Sequence, residues 1–358
     1  MEGSKEKESE NRGRLILDAT CAPADIRYPT DLGLLNQARK QTEKIIDILY
    51  DGLEEKPSKK PVTHRVIAKK EYLKIAKKRR PTKKQRRAAI KKQIQYVKRN
   101  LKHIEQLQLS GAKLEWLNSQ QYKMLLVVGT VSEQQSLMYE NNQQRVDDRI
   151  VSLTQPHVRP IIRGKAGKPV EFGAKLSASY YNGYIFLDKI SWDNFNESGD
   201  LKTQVEAFKQ STGHYPESVH VDQICGCIRL WRGFALRAEV SSACVAPSNR
   251  TKENRAWCKE RGIRITGVPL GRPPKNIDRE AKKQAQLDER FRTHIEGKFG
   301  EAKRRFSLSR VMTKLPKTSE TAMAITFLVI NLCNLLRQIF WLFLCLFRDQ
   351  RFVVGICS

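Results

Sequence analysis

At 358 residues, 40% of them hydrophobic, the chain can bury a sizeable core without disulfide staples. Its net charge of +28 (66 Lys and Arg against 38 Asp and Glu) points to a polyanionic partner, most simply nucleic acid. The opening stretch MEGSKEKESENRGR carries charge with no apolar run behind it, so no secretory signal is visible, the cytoplasm is the expected compartment, and the eight irregularly spaced cysteines are expected as reduced thiols.

After a disordered segment expected over 1–13, GRLILDAT (13–20) reads as a short buried strand ending on Asp18. Thr30 or Asp31 then caps a helix whose apolar residues recur at helical spacing. EEKPSKKP breaks it, and a basic helical region follows over about 64–109, interrupted at Pro81. Ile90, Ile94, Val97, Leu101 and Ile104 form its packing stripe. Between Lys56 and Lys102 the only acid is Glu71, and the run KKRRPTKKQRR (77–87) makes Lys77, Lys78, Arg79 and Arg80 candidate phosphate contacts. A solvated basic surface is the alternative reading.

From 151 the period shortens to that of strands, and Asn182-Gly183 marks a hairpin. LKTQVEAFKQSTGHYP reads as a helix closed near Gly213, and ESVHVD as a strand ending on Asp222. TKENRAWCKERGIRITGVPLG reads as a helix followed by a strand, and a long polar helix is expected over about 278–306. On that helix Arg292, Glu296 and Lys303 fall within about 40° of one another, beside the apolar Ile295, Phe299 and Phe306. The apolar stretch 322–347 is interrupted by Asn331, Asn334, Arg337 and Gln338, so a buried C-terminal helix is expected and not a membrane span. An acid on each of two strand ends and a third on a packed helix suit a hard divalent cation, although most Asp and Glu residues are simply solvated.

LDATCAPADIRYPTDLGLLNQAR, VEFGAKLSASYYNGYIFLDKISWDNFNE, TKENRAWCKERGIRITGVPLGRPPK and IEGKFGEAKRRFSLSRVMTKL together resemble the catalytic region of the DDE transposases of bacterial insertion sequences. The resemblance implies an α/β fold: a ribonuclease H-like mixed sheet flanked by helices, with a basic helical insertion after the first strand. It divides the chain into core pieces at 14–32, 151–224 and 249–347, an insertion at 33–150, an atypical loop at 225–248 and a tail at 348–358.

By the same resemblance Asp18, Asp222 and Glu296 are the catalytic, metal-holding acids. Mg²⁺, or alternatively Mn²⁺, would activate water to cut DNA at the element's ends, then activate the freed 3′-hydroxyl to attack target DNA. The partners implied are those two DNAs, bound by a homodimer or higher oligomer in the nucleoid, with no membrane involved. The family's helix signature (Tyr, two residues, Arg, three, Glu, six, Lys) is met at Arg292, Glu296 and Lys303, of which the two cations would hold phosphates; Glu289 stands in the tyrosine position. Two departures stand out: the resemblance implies an N-terminal end-recognition region ahead of Asp18, so a truncated copy is expected, and residues 225–248 are expected to interrupt a normally short connection. Cys225, Cys227 and Cys244 raise a zinc reading that lacks a fourth ligand, against which a loosely packed loop is expected. The rival functions are a DNA-binding remnant without catalysis and, from charge alone, a structural RNA-binding protein.

Overall fold

The computed structural model describes residues 10–165, 168–221, 251–266 and 279–354. Two compact units divide it: one comprises residues up to Ala24 together with Ile161 onward, and the other is Asp25–Pro160.

The second unit is helical. Thr30 caps α1 (Asp31–Asp51) by accepting from the Gly33 amide, and α2 (Arg65–Ala76) follows the Pro-containing break. Pro81 sits in the turn before α3 (Lys83–Leu109), which opens on a reciprocal capping box between Thr82 and Gln85. A second capping box, Asn118 with Gln121, opens α4 (Ser119–Glu140). The expected stripe on α3 packs inward: Ile94 and Val97 join Leu34, Leu35, Met124 and Val128, while Ile104 joins Ile45, Ile46 and Leu49. A buried polar knot crosses the same interface. Arg39 pairs with Glu43 and donates to Asn36 Oδ1 at 2.8 Å, and Asn100 on α3 donates to Thr42 at 2.9 Å.

The first unit is built on a mixed six-stranded sheet. Its strands are β1 (Arg14–Pro23), β2 (Arg159–Lys165), β3 (Lys168–Tyr181), β4 (Tyr184–Ser191), β5 (Ser218–Val221) and β6 (Arg264–Ile265). The path runs β2-β3-β1-β5-β6, with β4 also paired to β3. β1 is antiparallel to β3 and parallel to β5, and β5 is parallel to β6. Asn182 (φ 52) and Gly183 (φ 88) close the β3–β4 hairpin, both in the left-handed region that a type I′ turn requires. Gly173 marks a close approach: a Cβ there would lie 2.1 Å from the Ala22 carbonyl oxygen.

Strand alternation sends Leu15 and Leu17 to one face, against α5 (Leu201–Thr212) and α6 (Lys252–Glu260). It sends Ile16 and Ala22 to the other, against α7 (Arg279–Arg305) and α8 (Pro316–Val354). Gly213, at φ 82, ends α5 where the sequence places the stop.

Two expectations need correction. Asp18 does not end its strand: the ladder with β3 continues from Asp18↔Ala178 to Pro23↔Gly173, because small residues at 19–22 pair across it without a turn signal. Nor is the C-terminal helix a buried one. Met323, Phe327 and Ile330 are buried, whereas Leu328, Leu332, Leu335, Ile339 and Leu342 are exposed. By length and apolarity α8 could cross a membrane over Pro316–Cys345. The polar residues that interrupt it serve the sheet unit. Asn331 accepts from the Ile185 amide at 2.9 Å and donates to the Ile185 carbonyl at 2.7 Å; Asn334 donates to the Gly183 carbonyl, and Tyr184 donates its hydroxyl proton to Gln338.

Asn331 therefore satisfies both backbone groups of Ile185, a buried residue of β4. Asn331→Leu is expected to destabilise the sheet unit by about 1–3 kcal/mol, since two backbone groups lose their partner. Urea unfolding measures this, and an unchanged midpoint would refute the role.

Candidate functional site

The site is built where α7 packs on β1 and β5. Ile295, Phe299 and Ala302 are buried on one face of α7, and Ile295 and Phe299 pack into the cluster that holds Ile16 and Ala22 of β1. Asp18 lies two residues beyond Ile16, so the strand's period of two puts it on the face that α7 covers. The carboxylate is partly buried and its Oδ1 accepts from the Ala19 amide at 2.7 Å.

Glu296 follows Ile295, about 100° around the helix from the buried stripe. Its side chain is 49% exposed, and its Oε1 lies 2.9 Å from Arg292 Nη1. Arg292 also donates to Glu289 at 2.9 Å, so the residue in the tyrosine position of the signature supplies a second carboxylate to the same guanidinium. Lys303, half-buried, lies on the last turns of α7.

The parallel register of β1 with β5 pairs Leu17 with Val221. Next after them in sequence come Asp18 and Asp222. Asp222 lies outside the described residues, as do Cys225, Cys227, Cys244 and the whole 225–248 stretch. Among the described residues no group of three His, Cys, Asp or Glu side chains is placed to hold a metal ion. The donors that are described, Asp18 and Glu296, are carboxylates on elements packed together, one partly and one half exposed. That chemistry fits a hard divalent cation that keeps part of its water shell.

Sequence reasoning missed what fastens α7. Asp288 is 8% exposed and receives a fork from Arg264 of β6 at 2.7 and 3.0 Å, with Gln284 donating to it at 3.0 Å. His220 of β5, fully buried, brings Nδ1 to 3.9 Å from the same carboxylate, while its Nε2 lies 3.1 Å from Ser218 Oγ. Arg14 of β1 stacks over Phe291 at 4.0 Å. Burial pushes the Asp288 carboxyl up, but the Arg264 fork and Gln284 outweigh it and hold the group below the usual carboxylate range. Burial drives His220 down, with Asp288 opposing, so the imidazole is held neutral more firmly than a free one. The only local sign of this arrangement is that Asp288, Arg292 and Glu296 recur every four residues.

In the helical unit, Lys77, Lys78, Arg79 and Arg80 are all exposed in the turn between α2 and α3. Lys78 donates to Gln85 at 2.9 Å. Glu71, the lone acid of this stretch, is taken up by Lys92 and the Tyr96 hydroxyl. The fold adds a row that composition alone hides: Lys84, Lys91, Lys98 and Lys102 are exposed along one face of α3.

Residues 244–333 match a family model described as a transposase DDE domain. No curated protein and no solved structure matches the chain. The matched segment takes in α6, β6, α7 and the first half of α8, hence Arg292, Glu296 and Lys303, and supports a DDE transposase. Asp18, Asp222 and the helical unit lie outside it.

Asp288→Leu strips the carboxylate from Arg264 and His220. A fully buried pair would lose about 3–5 kcal/mol, but Arg264 is 43% exposed, so about 1–3 kcal/mol is expected in urea unfolding. Arg264→Met in the Asp288→Leu background should add little. Additive losses would show that the pair does not act as a unit.

Proposed function

We propose that this chain is a metal-dependent DNA transposase of the DDE type, which cuts DNA at the ends of an insertion sequence and transfers the freed strands to target DNA. The fold supporting it is read as ribonuclease H-like, a mixed sheet covered by helices on both faces. The observation that carries the reading is Asp18 on the β1 face covered by α7, the helix that bears Glu296 and lies within the matched transposase segment.

Asp222 completes the acid set in this reading. Ser218 and His220 are buried, and His220 approaches Asp288 and Phe291 of α7; Asp222, which follows β5 in sequence, lies outside the described residues and enters on the family resemblance alone. Asp18, Asp222 and Glu296 would hold Mg²⁺ or Mn²⁺, which when bound supplies Lewis-acid stabilisation of charge on phosphoryl oxygens. The protein's own part is positional. Arg292 orients Glu296 through their ion pair, and Arg292 and Lys303 offer cations for DNA phosphates beside the acids. Lys77, Lys78, Arg79 and Arg80 supply backbone affinity that carries no sequence information. Action on element ends and target together calls for a homodimer or higher oligomer on DNA, working in the cytoplasm at the nucleoid.

One observation favours the rival, a DNA-binding remnant without catalysis: Arg292 is held between two carboxylates, Glu289 and Glu296, which draws positive charge onto the acid that a metal would need. Cleavage of labelled DNA taken from either side of the coding sequence decides between them. Mg²⁺-dependent nicking that drops at least about a hundredfold in Asp18→Ala, with DNA affinity retained, is expected for the enzyme. Cleavage that survives Asp18→Ala would sink the assignment, and binding without any cleavage would favour the remnant.

Replacing Lys77, Lys78, Arg79 and Arg80 by Ala should lower the slope of log affinity against log salt by about 3–4, at about 0.9 for each phosphate no longer neutralised. Equal slopes for parent and variant would remove this segment from the interface.

A further inference from the structure

Exposed apolar side chains on α8 follow a regular interval. Ile325, Leu328, Leu332, Leu335, Ile339 and Leu342 are separated by three, four, three, four and three residues, and all six are at least 42% exposed. This is the a/d spacing of a heptad, with Ile325, Leu332 and Ile339 at a and Leu328, Leu335 and Leu342 at d. Met323, Phe327 and Ile330, which bury against the sheet unit, occupy f and c, on the opposite side of the helix. Up to Leu335 two separate apolar faces therefore run along α8, and the fold covers one of them; beyond it Leu336, Phe340, Trp341, Phe343 and Leu344, at e, b, c, e and f, are exposed as well. This is why the stretch is apolar all round without being buried all round.

The composition of the open face identifies what it takes. Isoleucine at two of the three a positions, with leucine at every d, favours two parallel strands. The flanking g positions carry Ala324, Asn331 and Gln338, and the e positions carry Val329, Leu336 and Phe343. Charges at e and g normally set partner choice; with none present, nothing selects a different helix and nothing repels an identical one. In a chain of net charge +28, like surfaces repel, but residues 322–345 carry the single charge Arg337, which is paired with Glu301 at 2.9 Å. A seam of two and a half heptads is too short to hold a free helix together. Here Met323, Phe327, Ile330 and Asn334 already hold the first half of α8 in place, so association over that half need not meet the cost of helix formation.

A lipid bilayer is a different occupant. Insertion of α8 would strip Asn331, Asn334 and Gln338 from the β3–β4 hairpin and leave both backbone groups of Ile185 without them. We propose that the outer face of α8 is a coiled-coil seam that pairs with α8 of a second copy of this chain, giving a parallel two-stranded dimer. This holds whether or not the chain cuts DNA.

Sedimentation equilibrium of the full chain without DNA tests it. Twice the 41.3 kDa chain mass is expected, falling to one chain mass in Leu332→Lys/Leu335→Lys. The melting temperature should be unchanged when the parent and variant are compared at concentrations where both are monomeric, since neither side chain is buried within a single chain. Orientation is read by oxidation: Leu328→Cys should give covalent dimers above the parent's background, and Phe340→Cys, at position b, should not. A monomeric parent at tens of micromolar would overturn the proposal, as would a dimer that survives both lysines. Equal cross-linking at 328 and 340, or none at 328, would overturn the parallel pairing. A monomeric parent that floats with phosphatidylcholine–phosphatidylglycerol vesicles, and stops doing so in the double lysine variant, would make lipid the occupant instead.

Discussion

The fork from Arg264 to Asp288 is the interaction on which the candidate site depends. α7 is a polar helix with few buried apolar side chains, and a stripe that narrow lets a helix rotate and slide with little penalty. A bidentate ion pair to the edge strand, with His220 and Gln284 on the same carboxylate, fixes both rotation and height. Glu296 stands eight residues on, about 12 Å along the same rod, and its direction relative to β1 follows from that fixed point. The parallel pairing of β1 with β5 fixes the register of the described strands from Arg14↔Ser218 to Leu17↔Val221.

In the proposed function, phosphate affinity falls to the helical unit and carboxylate chemistry to the sheet unit. Carboxylates repel a DNA backbone, so a protein that works on phosphodiesters with acids needs cations elsewhere to hold the substrate near them. The exposed lysines of α3 and the basic turn before it stand on helices held by a packed core and by the buried Arg39–Glu43 pair, so those charges are presented on a rigid support. In the proposed dimer the apolar outer face of α8 would solve a third problem, since two such basic chains would meet there with the least repulsion.

Local signals in the sequence were strong where one residue type dictates backbone geometry. Thr30 as a cap, Pro81 as a break, Asn182-Gly183 as a hairpin and Gly213 as a stop all appear where their chemistry requires. The face shared by Arg292 and Glu296 was legible for the same reason, being set by helix geometry alone. What stayed hidden depends on distant partners. Asp288 meets Arg264 and His220 from 24 and 68 positions away. Along α4 no apolar stripe marks the buried face, because apolar residues such as Leu126 and Leu137 are exposed while Ser132, Gln135 and Ser136 are buried. On α8, Asn331, Asn334 and Gln338 read as interruptions of a buried helix, and only the fold shows them gripping the hairpin between two apolar faces.

The central claim is that Asp18, Asp222 and Glu296 share one cation site. Binding of Mn²⁺ to the DNA-free chain, followed by electron paramagnetic resonance, tests it without reference to catalysis. Saturable binding that weakens at least about tenfold in each of Asp18→Asn, Asp222→Asn and Glu296→Gln is the expected result. Binding that is lost in Asp18→Asn but untouched in Glu296→Gln would contradict it, and would show that the carboxylate paired with Arg292 belongs to the helix and not to the metal.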